Sequence, residues 1–291
     1  METVMFDKDF FDKLNMLKMC LHMRLDHGMS GVRKSSAKGS SVEFSDFREY
    51  MLGDDIRRID WNAYGRTDKL YIKQFMEEKE GIFRIYVDAS RSMGFGEQPK
   101  SRMALQLAGA LSYIILNNLD RVYIHEMKET VGNQGRGVTG TAAFPHILAD
   151  LERIRFDGRT SLNRAVLTSP VGVGGVSILI SDFLDPDGIR DAMRYLAYKK
   201  QTVVLVQVLA REEEEISFEG TVRIQDVETG ERVKITMSNA VIRQYRQRLD
   251  EMKNSLTQIA VKYGAHYVSM RSDESLVQAI LSGFSGVLQG V

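Results

Sequence analysis

Apolar and polar positions follow two different periods along most of this chain. Short runs rich in β-branched and aromatic residues are typical of strands that are buried on both faces of a sheet. Longer stretches, with apolar residues three or four positions apart, are typical of helices that bury one side. The short runs predict strands at 82–87, 122–125, 176–180, 203–208 and 266–269, and the longer stretches predict helices at 9–25, 101–117, 144–154, 188–198, 240–263 and 274–288.

The order of these elements predicts the fold class. Strands and helices alternate from residue 82 almost to the last residue, which favours an α/β fold with a mainly parallel sheet and helices on both faces. An interruption at 216–237, with Glu228, Thr229 and Gly230 at its turn, predicts an inserted β-hairpin. We therefore expect a sheet domain at 81–291, preceded by an N-terminal helical and charged extension at 1–80.

The segment from residue 42 to residue 80 is rich in charged and aromatic residues. We expect its charges to pair with one another and to fix the segment against the sheet with Trp61 buried, because buried charges require partners. Two alternatives remain open, namely a docking surface and a second metal site built from its carboxylates. The preceding stretch, 28–41, is small, polar and basic, which predicts a mobile loop.

Composition limits the classes of partner. The 39 Lys and Arg residues equal the 39 Asp and Glu residues, so the charge balance favours neither a nucleic-acid partner nor a membrane surface. The single cysteine, Cys20, excludes an internal disulfide framework and is typical of a reducing compartment; we expect it to be buried and inert. We find neither an export signal nor an apolar stretch of the roughly 20 residues that a membrane span needs, and expect a cytoplasmic protein.

Candidate chemistry lies where the predicted strands end. In a parallel α/β sheet, ligands bind at the carboxyl edge of the strands. The first strand is followed by Asp88, Ser90 and Ser92, the strand at 176–180 by Asp182, and a loop between them carries Thr160. Such hydroxyl and carboxylate oxygens suit a hard cation such as Mg²⁺. Because hydroxyl ligands are neutral, they would leave the cation able to attract a carboxylate from another protein.

Two other interpretations of these residues stay open. Asp88, Ser90 and Ser92 could simply cap the next helix and satisfy loop amides, although that would not explain Thr160 and Asp182. Alternatively, Asp88 could be the nucleophile of a phosphatase. That chemistry usually calls for a second acid two positions on, where this sequence has Ser90, and no Ser–His–Asp or Cys–His arrangement is evident. We therefore expect a binding protein and not an enzyme.

The pattern Asp88-x-Ser90-x-Ser92, followed by Thr160 and Asp182, resembles the metal-ion-dependent adhesion site of von Willebrand factor A domains. This resemblance implies the Rossmann-type α/β fold of that family. It also implies that the hydroxyls ligate the cation directly, that the aspartates act mostly through water, and that an acidic side chain of a partner completes the shell. The implied cofactor is one divalent cation, Mg²⁺ first, with Mn²⁺ and Ca²⁺ as alternatives.

A second resemblance covers the charged segment. The stretches 43–50, 53–61 and 63–75 resemble the signature of domain of unknown function 58. Members of that family are typically found alongside MoxR-type AAA+ ATPases and are thought to act in chaperone-like maturation or metal insertion. Many carry N-terminal membrane spans, of which this sequence shows none. The resemblance implies a metal-dependent adaptor that binds a MoxR-type ATPase or its client; the alternative is a scaffold with a vestigial metal site.

Overall fold

The chain forms two compact units. The computed structural model describes residues 5–26, 43–76, 80–128, 135–158, 161–216, 220–225 and 232–284. One unit, here called the sheet unit, comprises residues 1–29 and 81–291. The other, here called the inserted unit, comprises residues 30–80. The predicted loop at 28–41 lies outside the described residues.

Strands and helices follow one another in nearly the predicted places. In chain order they are α1 (Lys8–Asp26), β1 (Glu43–Glu49), α2 (Trp61–Thr67), β2 (Tyr71–Met76), β3 (Ile82–Asp88), α3 (Lys100–Asn117), β4 (Arg121–Met127), α4 (Phe144–Glu152), α5 (Leu162–Thr168), β5 (Val176–Ser181), α6 (Arg190–Tyr198), β6 (Thr202–Leu209), α7 (Arg211–Glu214), β7 (Gly220–Gln225), β8 (Arg232–Met237), α8 (Asn239–Tyr263), β9 (His266–Arg271) and α9 (Leu276–Gly283). Every predicted strand and helix is present. The predicted end of the last helix, at residue 288, lies outside the described residues.

The central sheet has five parallel strands in the order β4-β3-β5-β6-β9. Its first strand in the chain, β3, lies between β4 and β5, with Ile85 paired to Ile124 on one side and to Ile178 on the other. The chain therefore builds the sheet outward from β3 in both directions. This confirms the predicted α/β fold with a mainly parallel sheet.

Helices cover both faces of the sheet because each strand buries side chains in both directions. Ile85 and Val87 point into one core with α3, α4 and α9, and Tyr86 points into a second core with α5, α6 and α8. All three side chains have no exposed surface. Alternation of this kind explains why the strands read as continuous apolar runs in the sequence. Among the described residues, no helix combines the length and apolar character needed to cross a membrane.

The N-terminal helix belongs to the sheet unit, which corrects the predicted extension at 1–80. Helix α1 buries Phe10, Leu14 and Leu17 in the same core as α3. Close packing is allowed by Gly109 of α3, where an added Cβ would lie 3.2 Å from the Phe10 ring. The apolar stripe of α1 needs a covering surface, and the sheet unit supplies it. Cys20, expected to be buried, is half-buried near the end of this helix.

The predicted hairpin is present as an antiparallel pair. Strands β7 and β8 pair from Gly220 with Met237 to Gln225 with Arg232. They interrupt the strand–helix alternation between α7 and α8, as the sequence pattern indicated. The predicted turn residues, Glu228 to Gly230, lie outside the described residues.

In the inserted unit, an antiparallel pair of strands, β1 and β2, is joined through α2. Some of its charges have the local partners that were expected. Arg48 donates to Asp54 Oδ1 at 2.8 Å, and Asp60 caps α2 by accepting from the amides of Asn62 and Ala63. These carboxylates therefore hold turns and helix ends of their own unit.

Trp61 is not buried, which corrects the prediction. Its side chain is 64% exposed and meets Tyr64 edge-on, with ring centroids 6.2 Å apart. Among the residues of the unit whose side chains the structure describes, Ile59 and Ile72 are the buried apolar positions, 8% and 5% exposed. A seven-residue helix on a two-stranded ribbon has too little surface to cover an indole at its first position as well.

Candidate functional site

The candidate site lies where the sheet changes direction. From β3 the chain passes to β4 on one side and then to β5 on the other, so the carboxyl ends of β3 and β5 flank the switch point of the sheet. Val87 and Ile180 are in register there, and Asp88 and Asp182 follow them. Ligands of open α/β sheets bind at this place, because the loops diverge there and leave a crevice.

Asp88 ties the ends of the two strands together. Its side chain is 3% exposed; Oδ1 accepts from the Ser90 amide at 2.8 Å and Oδ2 accepts from Ser181 Oγ at 2.5 Å. The first bond curls the chain after β3 and the second fixes it against β5. This arrangement presents Ser90 at the edge of the sheet.

The two serines form a row with Asp182. A short 3₁₀ turn at Arg91–Gly94 brings Ser90 Oγ to 2.9 Å from Ser92 Oγ, and Ser92 Oγ lies 2.7 Å from Asp182 Oδ2. Because Ser92 has one hydroxyl proton and Asp182 accepts it, Ser92 in turn accepts from Ser90. Three oxygens from two separate loops are thereby brought together at one edge of the sheet.

The spacing of this row suits a hard cation. Two neighbouring ligands of octahedral Mg²⁺, each about 2.0–2.1 Å from the ion and at right angles, lie about 2.9 Å apart. The Ser90–Ser92 and Ser92–Asp182 separations of 2.9 and 2.7 Å are ordinary hydrogen-bond lengths, which overlap that value, so the row is compatible with such a cation without indicating one by distance alone. Within the described ranges, no three His, Cys, Asp or Glu side chains gather into a metal-binding group, so a ligand set at this edge draws on the hydroxyls.

Thr160, the remaining predicted ligand, lies outside the described residues together with Arg159. The residues that lead to it are placed beside the serine turn. Ser90 forms a parallel bridge with Gly158, and the Arg91 amide donates to the Gly158 carbonyl at 2.9 Å. The Arg91 guanidinium also donates to the Asp157 carbonyl at 3.1 Å. The loop at 157–158 therefore reaches the site on the side of β4.

A simple capping role does not account for the two serines. Ser90 makes no side-chain capping bond to its 3₁₀ turn, and the next helix, α3, begins only at Lys100 after Pro99. One part of that interpretation holds, since Asp88 satisfies the Ser90 amide. The Ser92 hydroxyl bonds to the carboxylate of Asp182 from another strand, which a local cap would not need.

A buried lysine joins the site, and sequence reasoning missed it. Lys100 has no exposed surface; its Nζ donates to Asp182 Oδ2 at 2.8 Å and to Glu213 Oε1 at 2.6 Å. Burial lowers the pKa of Lys100, but the two carboxylates outweigh it and leave that pKa above its ordinary value, so the ammonium stays protonated. The sequence does contain an indication that Lys100 is buried. It lies four positions before Ala104 and therefore on the apolar stripe of α3.

Gln207 is a second residue at the site that the sequence pattern did not single out. It is fully buried on β6, where its Nε2 donates to the main-chain carbonyl of Asp182 at 2.9 Å and its Oε1 accepts from Tyr267 Oη at 2.5 Å. The amide thus fixes the backbone from which the Asp182 carboxylate projects. A single glutamine in an otherwise apolar buried strand was the signal for it.

The turn after β5 is conformationally strained. Phe183 has φ of 49°, in the left-handed region that a bulky side chain rarely adopts, and is 1% exposed. Its amide donates to Ser181 Oγ at 3.0 Å. Burial of the ring and this bond hold the strained backbone next to Asp182. Backbone strain of this kind is common at functional sites, where a side chain has to be held in one orientation.

Known proteins resemble this chain over most of its length. Uncharacterized protein Mb1516 of Mycobacterium bovis and uncharacterized protein Rv1480 of Mycobacterium tuberculosis are each 23% identical to it, across 95% of this chain and 90% of theirs. Among solved structures, conserved hypothetical protein BatB from Bacteroides thetaiotaomicron is 17% identical, covers 72% of this chain and 99% of its own, and has a TM-score of 0.47.

The SpRpn10 VWA domain is also similar, at 8% identity, over 70% of this chain and 95% of that domain, with a TM-score of 0.38. The family model described as Protein of unknown function DUF58 matches residues 46–255, which is more than half of the chain and includes both aspartates of the candidate site. The chain therefore belongs to the DUF58 family.

Proposed function

We propose that this protein is a metal-dependent interaction adaptor. In this proposal, one divalent cation, Mg²⁺ first with Mn²⁺ and Ca²⁺ as alternatives, is held by Asp88, Ser90, Ser92, Thr160 and Asp182. The bound cation would supply a positive centre for a carboxylate of another protein. The observation that carries the proposal is the convergence of the Ser90, Ser92 and Asp182 oxygens, which come from two different strand ends, at the switch point of the sheet.

An enzymatic role is not proposed, for a reason that the contacts of Asp88 supply. A carboxylate nucleophile must direct a free oxygen at its substrate. Both oxygens of Asp88 already accept hydrogen bonds, from the Ser90 amide and from Ser181 Oγ, and the side chain is 3% exposed. Its geometry supports a residue that positions the serine loop and, in this proposal, acts on the cation through water.

The partner that we propose is a MoxR-type AAA+ ATPase or a client protein that it matures. This part of the proposal rests on the resemblance of segment 43–75 to a family found alongside such ATPases, and on the match to DUF58. The cytoplasm is the proposed place of action, because the single cysteine is typical of a reducing compartment. Neither nucleic acid nor a membrane surface is proposed as a partner.

The proposal is tested by calorimetry of binding to the companion ATPase, with Mg²⁺ and with EDTA. We expect chelation to weaken binding at least about tenfold, which corresponds to about 1.4 kcal/mol. Asp88→Ala and Ser92→Ala should weaken both Mg²⁺ binding and ATPase binding to a similar degree. Ser282→Ala is the matched control, because Ser282 lies on helix α9 and its hydroxyl donates to the Gln278 carbonyl of that helix at 2.7 Å.

The scaffold alternative gives the opposite result in the same experiment. If the ATPase binds equally well in Mg²⁺ and in EDTA, and equally well to wild type and Ser92→Ala, the metal site does not hold the partner. The partner surface would then have to be sought elsewhere on the chain, starting with the exposed Trp61 region of the inserted unit.

A further inference from the structure

The row of oxygens at the site continues into a buried ion-pair chain. From Asp182 Oδ2 it passes to Lys100 Nζ at 2.8 Å and then to Glu213 Oε1 at 2.6 Å. The Lys100 side chain has no exposed surface, and the Asp182 and Glu213 side chains are 5% and 14% exposed. A permanent positive charge is therefore built into the protein directly beside a proposed metal ligand.

This lysine changes the charge that the site offers to a cation. Among the four groups Asp88, Asp182, Glu213 and Lys100, the three carboxylates contribute three negative charges and the lysine one positive charge, a sum of two negative charges. One divalent cation would balance them. Without the lysine, the same cation would be bound more tightly but would leave the site negative, and a negative site repels an incoming carboxylate.

We infer that Lys100 is a specificity-determining residue, which weakens divalent-cation binding at this site and so preserves the site's attraction for an acidic group. The inference rests on the proposed function, since it assumes that the cation is bound by the Ser90–Ser92–Asp182 row. Lys100 acts through Asp182: its ammonium neutralises that carboxylate, so less negative charge is available to compensate the cation.

A purely structural role for Lys100 makes different predictions. The ammonium also links α3 to α7, because Glu213 caps α7 by accepting from the Ala210 amide at 2.7 Å through its other oxygen. If Lys100 only held these helices together, its loss would lower stability and would lower or leave unchanged the affinity for a cation. An electrostatic role requires the affinity to rise.

A charge series separates the two roles. Lys100→Met gives the site three net negative charges, Glu213→Gln gives one, and the double variant restores two. Binding of Mn²⁺ alone is measured by the electron paramagnetic resonance signal of the free ion, and folding is checked by circular dichroism and thermal unfolding. We expect Lys100→Met to bind Mn²⁺ about tenfold more tightly, Glu213→Gln about tenfold more weakly, and the double variant about as wild type does.

Acetate provides the second readout, as the simplest carboxylate. The acetate concentration that displaces water from the Mn²⁺-loaded protein is measured by water-proton relaxation, and Lys100→Met should need about tenfold more than wild type. If Lys100→Met does not fold, the double variant is compared with Glu213→Gln alone. These two differ only at Lys100, and the double variant should bind Mn²⁺ about tenfold more tightly.

The outcomes distinguish this inference from the proposed function. If wild type binds Mn²⁺ and loss of Lys100 leaves the affinity equal or lower, or leaves the acetate response unchanged, the inference is wrong and the metal site stands. If no variant binds Mn²⁺, both fail. If wild type does not bind Mn²⁺ and Lys100→Met does, the proposed function fails for the wild-type protein and the inference fails with it, because a site without a cation has no attraction for a carboxylate to preserve.

Discussion

His125 is enclosed by aromatic rings on the second core of the sheet unit. It is 5% exposed and stacks on Tyr86 at 4.7 Å and on Tyr123 at 6.2 Å, measured between ring centroids. Burial and then the charge of Arg84 lower its pKa to about 4. Neither ring nitrogen finds a hydrogen-bond partner among the described residues. The folded protein therefore holds this imidazole in its neutral form.

This histidine should make the protein less stable in mild acid. In the unfolded chain its pKa is about 6.5, so between pH 6.5 and pH 4 the unfolded state binds a proton that the folded state does not. Stability is full above pH 6.5 and falls as pH decreases through that window, by up to about 3 kcal/mol. Urea unfolding of wild type at pH 7.5 and at pH 4.5 measures the loss.

Two variants identify the group responsible. His125→Phe keeps the ring stack without the titrating nitrogens and should lose much less stability between the two pH values. The exposed His146 serves as control, and His146→Phe should behave as wild type does. An equal loss of stability in wild type and His125→Phe would assign the pH dependence to other groups.

At the scale of elements, the side chains of helix α1 differ in how deeply they are buried in the sheet unit. Phe10 and Phe11 are neighbours in sequence, but Phe10 has no exposed surface and Phe11 is 43% exposed. Phe10 fits against α3 where Gly109 leaves room for its ring. If α1 is part of the sheet unit's core, these two phenylalanines should contribute very unequally to its stability.

We expect Phe10→Ala to lower the free energy of unfolding by about 3–5 kcal/mol, because it leaves a cavity between α1 and α3. Phe11→Ala should lower it by less than about 1 kcal/mol, since a half-exposed ring loses little contact. Urea denaturation followed by circular dichroism gives both values. Similar small effects for the two variants would show that α1 is dispensable to the core.

At the scale of the whole molecule, the candidate site exists only in the folded chain. Ser92 and Asp182 are 90 residues apart in sequence, and Asp88 and Ser181 are 93 apart, yet each pair is hydrogen-bonded. An unfolded chain cannot hold these groups together. A cation bound at the site should therefore stabilise the folded state alone, by an amount that grows with its concentration.

We expect Mg²⁺ at about 100 times its Kd to add about 2.7 kcal/mol to the stability of wild type. For a unit of this size, that raises the Tm by several degrees, at about 2–4 °C per kcal/mol. Differential scanning calorimetry with Mg²⁺ and with EDTA measures the shift, which Ser92→Ala should abolish and Ser282→Ala should retain. A shift of equal size in Ser92→Ala would place the stabilising ion at another site.

The sequence by itself determined the elements of the sheet unit and proposed the first set of candidate site residues. Hydrophobic periods are local properties, so the strands at Ile82–Asp88 and Val176–Ser181 could be predicted, and with them the position of Asp88 and Asp182 at strand ends. The inserted hairpin was predicted for the same reason. Asp88, Ser90 and Ser92 lie within five residues of one another, where spacing alone indicates that they share a loop.

Only the tertiary structure decided which distant groups meet. The order of the strands, which makes β3 and β5 neighbours, emerges only in the folded sheet. So do the contact of Lys100 with Glu213, the support of Asp182 by Gln207, and the assignment of α1 to the sheet unit. These contacts join residues far apart in the chain, and their stability comes from burying surface that no local pattern specifies.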